Sequence, residues 1–271
     1  MTSVVPTAEF ASTVFGSRGV EIDDAAEAFH EASRLYPNVA PGRLEASVAL
    51  ARSPELQQTV ARSSRLHDHR PGLDLEDCAL PPAPLATLLA ERRSEVPGEV
   101  RALTLAELSA VLRASYGAAR AAQPAAARRA VPSAGALYPL ELYVLALHVA
   151  GLEPAAWHYH PFRHRLETLA SLDADDTRAA VVDQAVLEGA AAVVVVTAVF
   201  WRTRFKYGLR GYRFALLEAG HVMQNAVLAA TALGLPALPL GGFFDRRLDA
   251  LVGADGLDEA CVYALVLGGR G

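Results

Sequence analysis

The chain has 271 residues, 52% hydrophobic and 20% charged, which is the composition of a globular protein and excludes a disordered one. Its formal net charge of −5 argues against nucleic acid as the main partner, because phosphate binding normally leaves a basic surface. Cys78 and Cys261 form no metal-binding or disulfide pattern. The N-terminus lacks the features of a signal peptide, and polar residues interrupt the one apolar run that is long enough to span a bilayer. We therefore expect a soluble cytoplasmic protein with no membrane partner.

Two regions are expected along the chain. Residues 1–80 read as an irregular helical extension, and residues 81–271 form the main domain. In the extension, IDDAAEAFHEASRLY predicts a helix with Asp23 or Asp24 as its N-cap and Pro37 just beyond its end.

Two further helices open the main domain. The first is LATLLAERR. The second is TLAELSAVLRASYG, where Thr104 and Glu107 form a capping box and Gly117 supplies the stop. The Ala- and Arg-rich segment 118–130 that follows is equally consistent with a helix or a mobile loop, because it contains Gln-Pro.

Short runs of aromatic and branched residues dominate the middle of the chain and predict an antiparallel meander. These runs are residues 140–149, 156–161 and 164–170. A helix over 175–187 then leads into AAVVVVTAVF, whose valines suit a central strand buried on both faces. A short helix over 246–252 and the strand CVYALVLGG close the chain. The predicted fold class is α+β, with a mainly antiparallel central sheet flanked by helices.

The stretch 202–245 begins with basic and aromatic residues and passes into a long apolar helix over 214–233. A helix that is apolar nearly all round must be buried, against the core or a partner subunit. Its few polar residues share one side, and they are Glu218, His221, Gln224 and Asn225. Buried polar groups need partners, which the fold or a ligand must supply.

Two E-x-x-H motifs, Glu27 to His30 and Glu218 to His221, offer a metal-binding alternative. Pairs of this motif build di-iron sites in four-helix bundles. In a chain with 30 acidic residues and eight histidines, chance explains two such spacings better than a metal site does. The strand-rich middle of the chain also disagrees with a four-helix bundle. We keep the metal as a minor alternative and predict no metal site.

Basic and aromatic residues alternate just before the long helix. The cations are Arg202, Arg204, Lys206, Arg210 and Arg213. Such a run can bind single-stranded nucleic acid, a phosphate or a peptide, but it more often forms a solvated face. Within it, Lys206 and Tyr207 together could relay a proton if burial lowers the pKa of the lysine.

Two glycine-bearing segments complete the candidates. The first glycine turn, VPSAGALYP, covers residues 131–139, and the second, PLGGFFD, covers 239–245. Neither matches a dinucleotide or triphosphate motif, but the exposed backbone N–H groups of such turns can meet an anion or a heteroaromatic ring. Arg92, Arg93 and Ser94 form a possible phosphate fork at a helix end.

In this order, these elements resemble the flavin-dependent nitroreductase superfamily, and within it the SagB/McbC-type dehydrogenases, which oxidise azoline rings in ribosomally made peptides. The resemblance covers about residues 85–271 and is most specific from Lys206 to Asn225. It implies a nitroreductase-like fold, an obligate homodimer with a long buried helix, and FMN bound at the dimer interface. It also implies a peptide substrate and a possible complex with a cyclodehydratase.

The resemblance assigns cofactor contacts by position. Arg92, Arg93 and Ser94 would hold the FMN phosphate or ribityl chain, with Arg270 as a second phosphate cation. The residues along the flavin ring would be Pro132, Ser133, Ala134 and Gly135. Gly241 and Gly242 would let the backbone approach the other side of the ring, and Gln224 and Asn225 would face the cofactor from the long helix. One departure is Glu95, which places an acid where the family commonly has another cation.

Lys206 and Tyr207 match the pair considered catalytic in azoline dehydrogenases. Forming an azole removes a hydride, which FMN takes, and a proton, which a nearby base must take. A neighbouring cation such as Arg204 or Arg210 would help one of the pair to act as a base near neutral pH. The alternatives are NAD(P)H-dependent reduction of a nitro compound or quinone, oxidation of a cyclic dipeptide, and a non-enzymatic scaffold in a peptide-modifying complex.

Overall fold

The computed structural model describes residues 25–36, 48, 52–61, 63–118 and 128–269. The α-helices in these ranges are α1 Ala25–Ala32, α2 Pro54–Ala61, α3 Leu85–Glu91, α4 Leu105–Tyr116, α5 Ala174–Ala179, α6 Trp201–Tyr207, α7 Arg210–Leu233 and α8 Asp245–Val252. The strands are β1 Gly72–Asp74, β2 Leu103–Thr104, β3 Leu140–Ala146, β4 Val149–Ala150, β5 Ala155–His160, β6 Arg165–Ser171, β7 Ala192–Val199, β8 Ala237–Leu240 and β9 Glu259–Leu267. Across these residues, we find no helix that combines the length and the apolarity needed to cross a membrane.

A seven-stranded sheet organises the domain in the order β1-β6-β5-β3-β7-β9-β8, and every pairing in it is antiparallel. The valine-rich β7 lies in the interior of the sheet between β3 and β9, and all of its residues are buried. Alternate side chains of β3 and β7 therefore enter two core layers. Helices α4 and α7 cover one layer, and α8 covers the other together with Ala180 and Val181, which follow α5. The predicted α+β class and antiparallel sheet are confirmed.

The local helix signals of the sequence are confirmed at three helix ends. The Thr104 side chain accepts a hydrogen bond from the Glu107 N–H, and the Glu107 carboxylate accepts one from the Thr104 N–H, so the capping box begins α4. The same helix ends at Tyr116 with Gly117 at its C-cap, as predicted. The long helix α7 ends at Leu233, as expected, and the following Gly234 has a φ of +68°, the left-handed conformation typical of a residue that ends a helix.

The predicted helix over 175–187 is wrong in its middle. The structure has only α5 and a separate 3₁₀ turn, Gln184–Leu187. Between them, Val181 bridges to Phe243, and the Val182 N–H donates to the Gly242 carbonyl over 3.0 Å. Val181 and Val182 are β-branched and their backbones pair with the segment 242–243, so an extended conformation is favoured over a helix here.

The predicted burial of α7 is confirmed on the side that packs against the core, and the partner subunit that would cover its other side stays a prediction. Ala215, Ala219 and Val222 face the core, whereas Leu217 is 61% exposed. The polar row is divided as well, and we describe its members with the site.

The chain before residue 81 contributes to the sheet. Strand β1 pairs with β6, and Leu75 is buried in the core. Helix α1 lies at the start of α7, where Phe29 and Tyr212 meet edge to face at 5.3 Å. The boundary expected after residue 80 stays a prediction. The predicted caps Asp23 and Asp24 and the residue Pro37 lie outside the described residues.

Candidate functional site

The structure brings Lys206 and Tyr207 against the first glycine turn. Both side chains are half-buried at the end of α6. A Cβ atom placed on Gly135 would lie 2.6 Å from Tyr207 Oη and 2.8 Å from Lys206 Nζ. The ammonium group of Lys206 also lies 5.1 Å from the centre of the Tyr207 ring, a cation–π distance. Two segments about 70 residues apart in sequence therefore form one candidate site.

The first glycine turn has an unusual backbone. Gly135, Ala136 and Tyr138 have φ values of +64°, +55° and +45°. Such conformations cost free energy for residues other than glycine, and they cluster where function requires a fixed shape. The Ser133 hydroxyl holds the turn by accepting a 2.9 Å hydrogen bond from the Tyr138 N–H. Pro132 and Gly135 are exposed, and Ser133 and Ala134 are half-buried.

A buried acid lies beneath this turn. Glu218 of α7 is 2% exposed, and its Oε1 accepts a 2.8 Å hydrogen bond from the Tyr116 hydroxyl. Tyr116 Oη in turn accepts one from the Leu140 N–H over 3.2 Å. Burial raises the pKa of Glu218 to about 7, although Ser133, Tyr116 and Arg129 each pull it down.

Arg129 completes the floor of the site. Its guanidinium lies 4.2 Å from the centre of the Tyr116 ring and donates to the Ser63 carbonyl over 2.7 Å. Neither Arg129 nor Tyr116 is predicted as a site residue from the sequence. Arg129 stands in an Ala- and Arg-rich segment that resembles a surface loop, and only its place just before the turn could have drawn attention to it.

The cation run does not form one solvated face. Arg202 is 6% exposed and makes a 2.6 Å ion pair with Glu141 of β3. Arg210 and Arg213 donate to backbone carbonyls at the end of α1. Cations placed at the C-terminal end of a helix satisfy its last carbonyls and its dipole. Three of the five predicted cations are therefore structural.

The second glycine turn is exposed at Gly241 and Gly242. No heavy atom of the described residues lies within 4 Å of a Cβ built on Gly241, and the nearest to one on Gly242 is a Val182 atom at 3.9 Å. The space beside this turn is therefore open to a ligand or a second chain. The described contacts do not link it directly to Lys206.

The predicted phosphate fork lies at the end of α3. Arg93 makes a 2.9 Å ion pair with Glu95, and both line a cleft of about 470 Å³ beside the end of α7 and β8. Arg92 is half-buried and Ser94 is exposed. Arg93, one of the cations predicted to bind the phosphate, is therefore already paired with Glu95, the acid that departs from the family pattern. Arg270 lies outside the described residues, and the phosphate contacts stay a prediction.

The polar row of α7 has three different environments. Glu218 is buried under the turn, whereas His221 and Gln224 are exposed. The Asn225 amide donates to the carbonyls of Ala114 and Ala130 at 3.2 and 3.3 Å. Protein groups therefore partner Glu218 and Asn225, and burial of the other two residues by a ligand or a partner subunit stays a prediction. Cofactor contacts by Gln224 and Asn225 stay a prediction.

The E-x-x-H pairs do not converge. Glu218 bonds to Tyr116, while Glu27, His30 and His221 are all exposed. Within the described ranges, we find no group of three or more His, Cys, Asp and Glu side chains that could hold a metal ion.

Gly135→Ala tests the contact between the turn and the pair. We expect stability to fall by about 1–2 kcal/mol because alanine resists a positive φ. We expect turnover to fall much further, because the new methyl group collides with the Lys206 and Tyr207 side chains. Chemical denaturation and steady-state kinetics measure the two effects.

Gly151→Ala is the matched control, since Gly151 has a φ of +81° and nothing of the described residues within 4 Å of its Cβ position. It should lose similar stability and keep its turnover. Equal turnover in the two variants would show that activity does not depend on the contact between the turn and the Lys206–Tyr207 pair.

Three comparisons place the chain among known proteins. The model described as "Nitroreductase family" matches residues 90–269. A Methanocaldococcus jannaschii protein named as a candidate nitroreductase is 38% identical over 165 residues, covering 60% of this chain and 81% of the relative. The Microcin B17-processing protein McbC of Escherichia coli is 34% identical over 143 residues, covering 50% of this chain and 51% of McbC. The match thus spans about half the length of McbC.

One solved structure adds to the evidence for the fold. It is the E. coli microcin synthetase McbBCD complex with truncated pro-MccB17 bound. Its matched chain has a TM-score of 0.57 at 20% identity, covering 100% of this chain and 84% of that one. At this identity the similarity shows the fold alone.

Proposed function

The chain belongs to the nitroreductase family, and from that premise we propose that it is an FMN-dependent dehydrogenase of azoline rings. Its substrate would be a ribosomally made, heterocyclised peptide in the cytoplasm, and its product an azole. The contact of Lys206 and Tyr207 with the first glycine turn carries this proposal. It supports the proposal because a lysine and a tyrosine side chain, either of which could accept a proton, meet the turn that the family resemblance assigns to the flavin ring.

Lys206 is the only lysine in a sequence that contains 25 Lys and Arg residues in total. Arginine serves wherever this chain needs a permanent cation, as at Arg202 and Arg213. A guanidinium keeps its proton in proteins, whereas an ammonium group can release one and act as a base. A single lysine at this position therefore fits a role in proton transfer better than a role in fixing charge.

The exposed backbone of the site suits a planar cofactor. The second glycine turn has open space at Gly241, and the first presents Ser133 and Ala134 as half-buried lining groups. When bound, FMN would supply the hydride acceptor for the azoline carbon, and oxygen would reoxidise it. Lys206 or Tyr207 would take the proton from the adjacent carbon, and the ring then gains its second double bond.

A second copy of the chain is part of the proposal. The outer side of α7 exposes Leu216 and Leu217 beside His221 and Gln224. On the same side, no heavy atom of the described residues lies within 4 Å of a Cβ on Gly220. An interior glycine costs a helix about 1 kcal/mol relative to alanine, so close approach by another backbone or a cofactor would explain it. This face suits the homodimer in which the family binds FMN.

A peptide substrate and a cyclodehydratase partner are proposed from the relatives. McbC is named as a processing protein of microcin B17, and McbBCD is solved with a truncated form of pro-MccB17. The runner-up is NAD(P)H-dependent reduction of a nitro compound or quinone, which the family name supports.

Absorbance of the purified protein and a two-substrate assay test the proposal. We expect a bound flavin that an azoline-containing peptide bleaches without air and that oxygen restores, with a mass loss of 2 Da per ring converted. Rapid bleaching by NADPH with no effect of the peptide would favour the reductase. A chain that binds no flavin in any preparation would favour the scaffold reading.

A further inference from the structure

The cleft at the end of α3 holds a predicted phosphate cation together with two acids. Among the described residues that line it, Arg93 is the one cation, whereas Glu91 and Glu95 are acids. Thr231 and Gly234, which also line it, belong to the C-terminal end of α7, where a helix carries partial negative charge. The lining is therefore electronegative on balance, and such surroundings disfavour a phosphate.

The backbone around Glu95 keeps this acid within reach of Arg93. The carboxylate lies 2.9 Å from Arg93 Nε, and the Glu95 N–H donates to the Ala237 carbonyl of β8 over 2.9 Å. Two residues further on, Pro97 is buried against Gly268, where an added Cβ atom would lie 2.8 Å from the Cβ of the proline. Because both contacts fix the segment, only rotation of the side chains can separate the acid from the guanidinium.

A phosphate entering this cleft would meet a guanidinium that is already paired. The Arg93 side chain is 77% exposed, so a ligand can reach it, and guanidinium groups bind phosphate well. An exposed ion pair is weak, so the phosphate can displace the carboxylate. The displaced Glu95 still lies in the cleft as a like charge, because its backbone is held in place. Loss of the ion pair and repulsion by the acid both reduce what the phosphate gains.

We propose that Glu95 competes with the FMN phosphate for Arg93 and thereby lowers the selectivity of the site for FMN over riboflavin. Riboflavin has the same ring and ribityl chain and lacks the phosphate. The inference rests on the proposed function, because it takes FMN as the ligand and Arg93 as one of its phosphate contacts. The ring and the ribityl chain then carry most of the affinity for the flavin.

The test titrates FMN and riboflavin separately into apoprotein and follows quenching of flavin fluorescence. The ratio of the two Kd values isolates the contribution of the phosphate, since the two flavins differ in nothing else. Glu95→Gln should tighten FMN binding about 3–10-fold, the size expected from freeing one exposed ion pair and removing one like charge. The Kd for riboflavin should stay at its wild-type value.

Glu99→Gln is the matched control. Glu99 pairs with Arg101 at 2.7 Å, again two residues away, and it is not among the described residues that line the cleft. This variant removes the same charge from the chain and should keep the wild-type ratio of the two Kd values. The double variant Arg93→Gln with Glu95→Gln should lose the gain in FMN affinity, because it has no guanidinium left to free.

An unchanged Kd ratio in Glu95→Gln overturns the inference and leaves the proposed function intact, since both flavins still bind. An equal gain in Glu99→Gln overturns it as well, because the effect would then come from the net charge of the chain. A gain that survives in the double variant shows that the acid acts on a cation other than Arg93, which also overturns it. A wild type that binds neither flavin overturns the proposed function, and the inference falls with it.

Discussion

Lys206→Ala is expected to keep its flavin and to lose azoline oxidation by about 10²–10⁴-fold, which is the usual contribution of a positioned proton acceptor. The side chain is half-buried at the end of α6, and its amine contacts Tyr207 and the first glycine turn. Its removal takes away the proton acceptor and leaves the turn in place. Single-turnover bleaching of the flavin by an azoline peptide measures the step directly.

Lys206→Arg separates proton transfer from charge. Arginine keeps the cation but does not give up its proton, so we expect it to be as inactive as the alanine variant. Recovery of activity in Lys206→Arg would instead assign an electrostatic role. Arg178→Ala, which removes an exposed cation of α5 on the other layer of the core, serves as the control and should be unaffected. Wild-type turnover in Lys206→Ala would refute the catalytic assignment.

The sequence predicts the central part of this fold because the signals there are local. A valine run in the middle of a sheet, a capping box and a glycine stop each fix their own element, and all three are confirmed. By contrast, the sequence does not predict β8. This strand has only four residues, one of which is Pro239, so it shows no detectable alternation of apolar and polar residues. Its proline is tolerated because β8 is the edge strand beside β9.

The residues of the candidate site can be predicted from the sequence only in part, because they come from segments that are far apart in the chain. The resemblance named Lys206, Tyr207 and Gly135, and the structure brings these three together. It could not show that Glu218 lies beneath the turn on Tyr116, since that contact joins residues 102 positions apart. Periodicity placed Glu218 and Gln224 on one side of a helix, but what packs against each face depends on tertiary structure.

Helix α6 also depends on a network that no sequence pattern revealed. Arg202, in its first turn, pairs with Glu141 of β3, and His158 of β5 lies between Glu141 and Glu167. Burial alone would raise the pKa of Glu141, but Arg202 and His158 outweigh it and hold that pKa well below its usual range. Burial would lower the pKa of His158, yet its two carboxylate partners raise it. The charges in this cluster are therefore mutually dependent.

Arg202→Met should consequently destabilise the protein by about 3–5 kcal/mol, the cost of removing one partner from a buried ion pair. Glu141 is 1% exposed and its ion pair with Arg202 measures 2.6 Å, so water cannot replace the guanidinium. Urea unfolding at pH 7 measures the change. The matched control is Arg101→Met, which breaks a 2.7 Å pair with Glu99 whose side chains are 48% and 74% exposed, and it should cost less than about 1 kcal/mol.

The loss should also depend on pH. Because the folded pKa of Glu141 is depressed, its ion pair contributes fully above the ordinary glutamate pKa of about 4.3, and the contribution is lost as the pH falls towards the folded value. The penalty of Arg202→Met should therefore shrink in acid. A penalty no larger than that of Arg101→Met, or one that is constant down to pH 3, would show that the pair does not anchor α6. In that case, another contact must hold Lys206 against the turn.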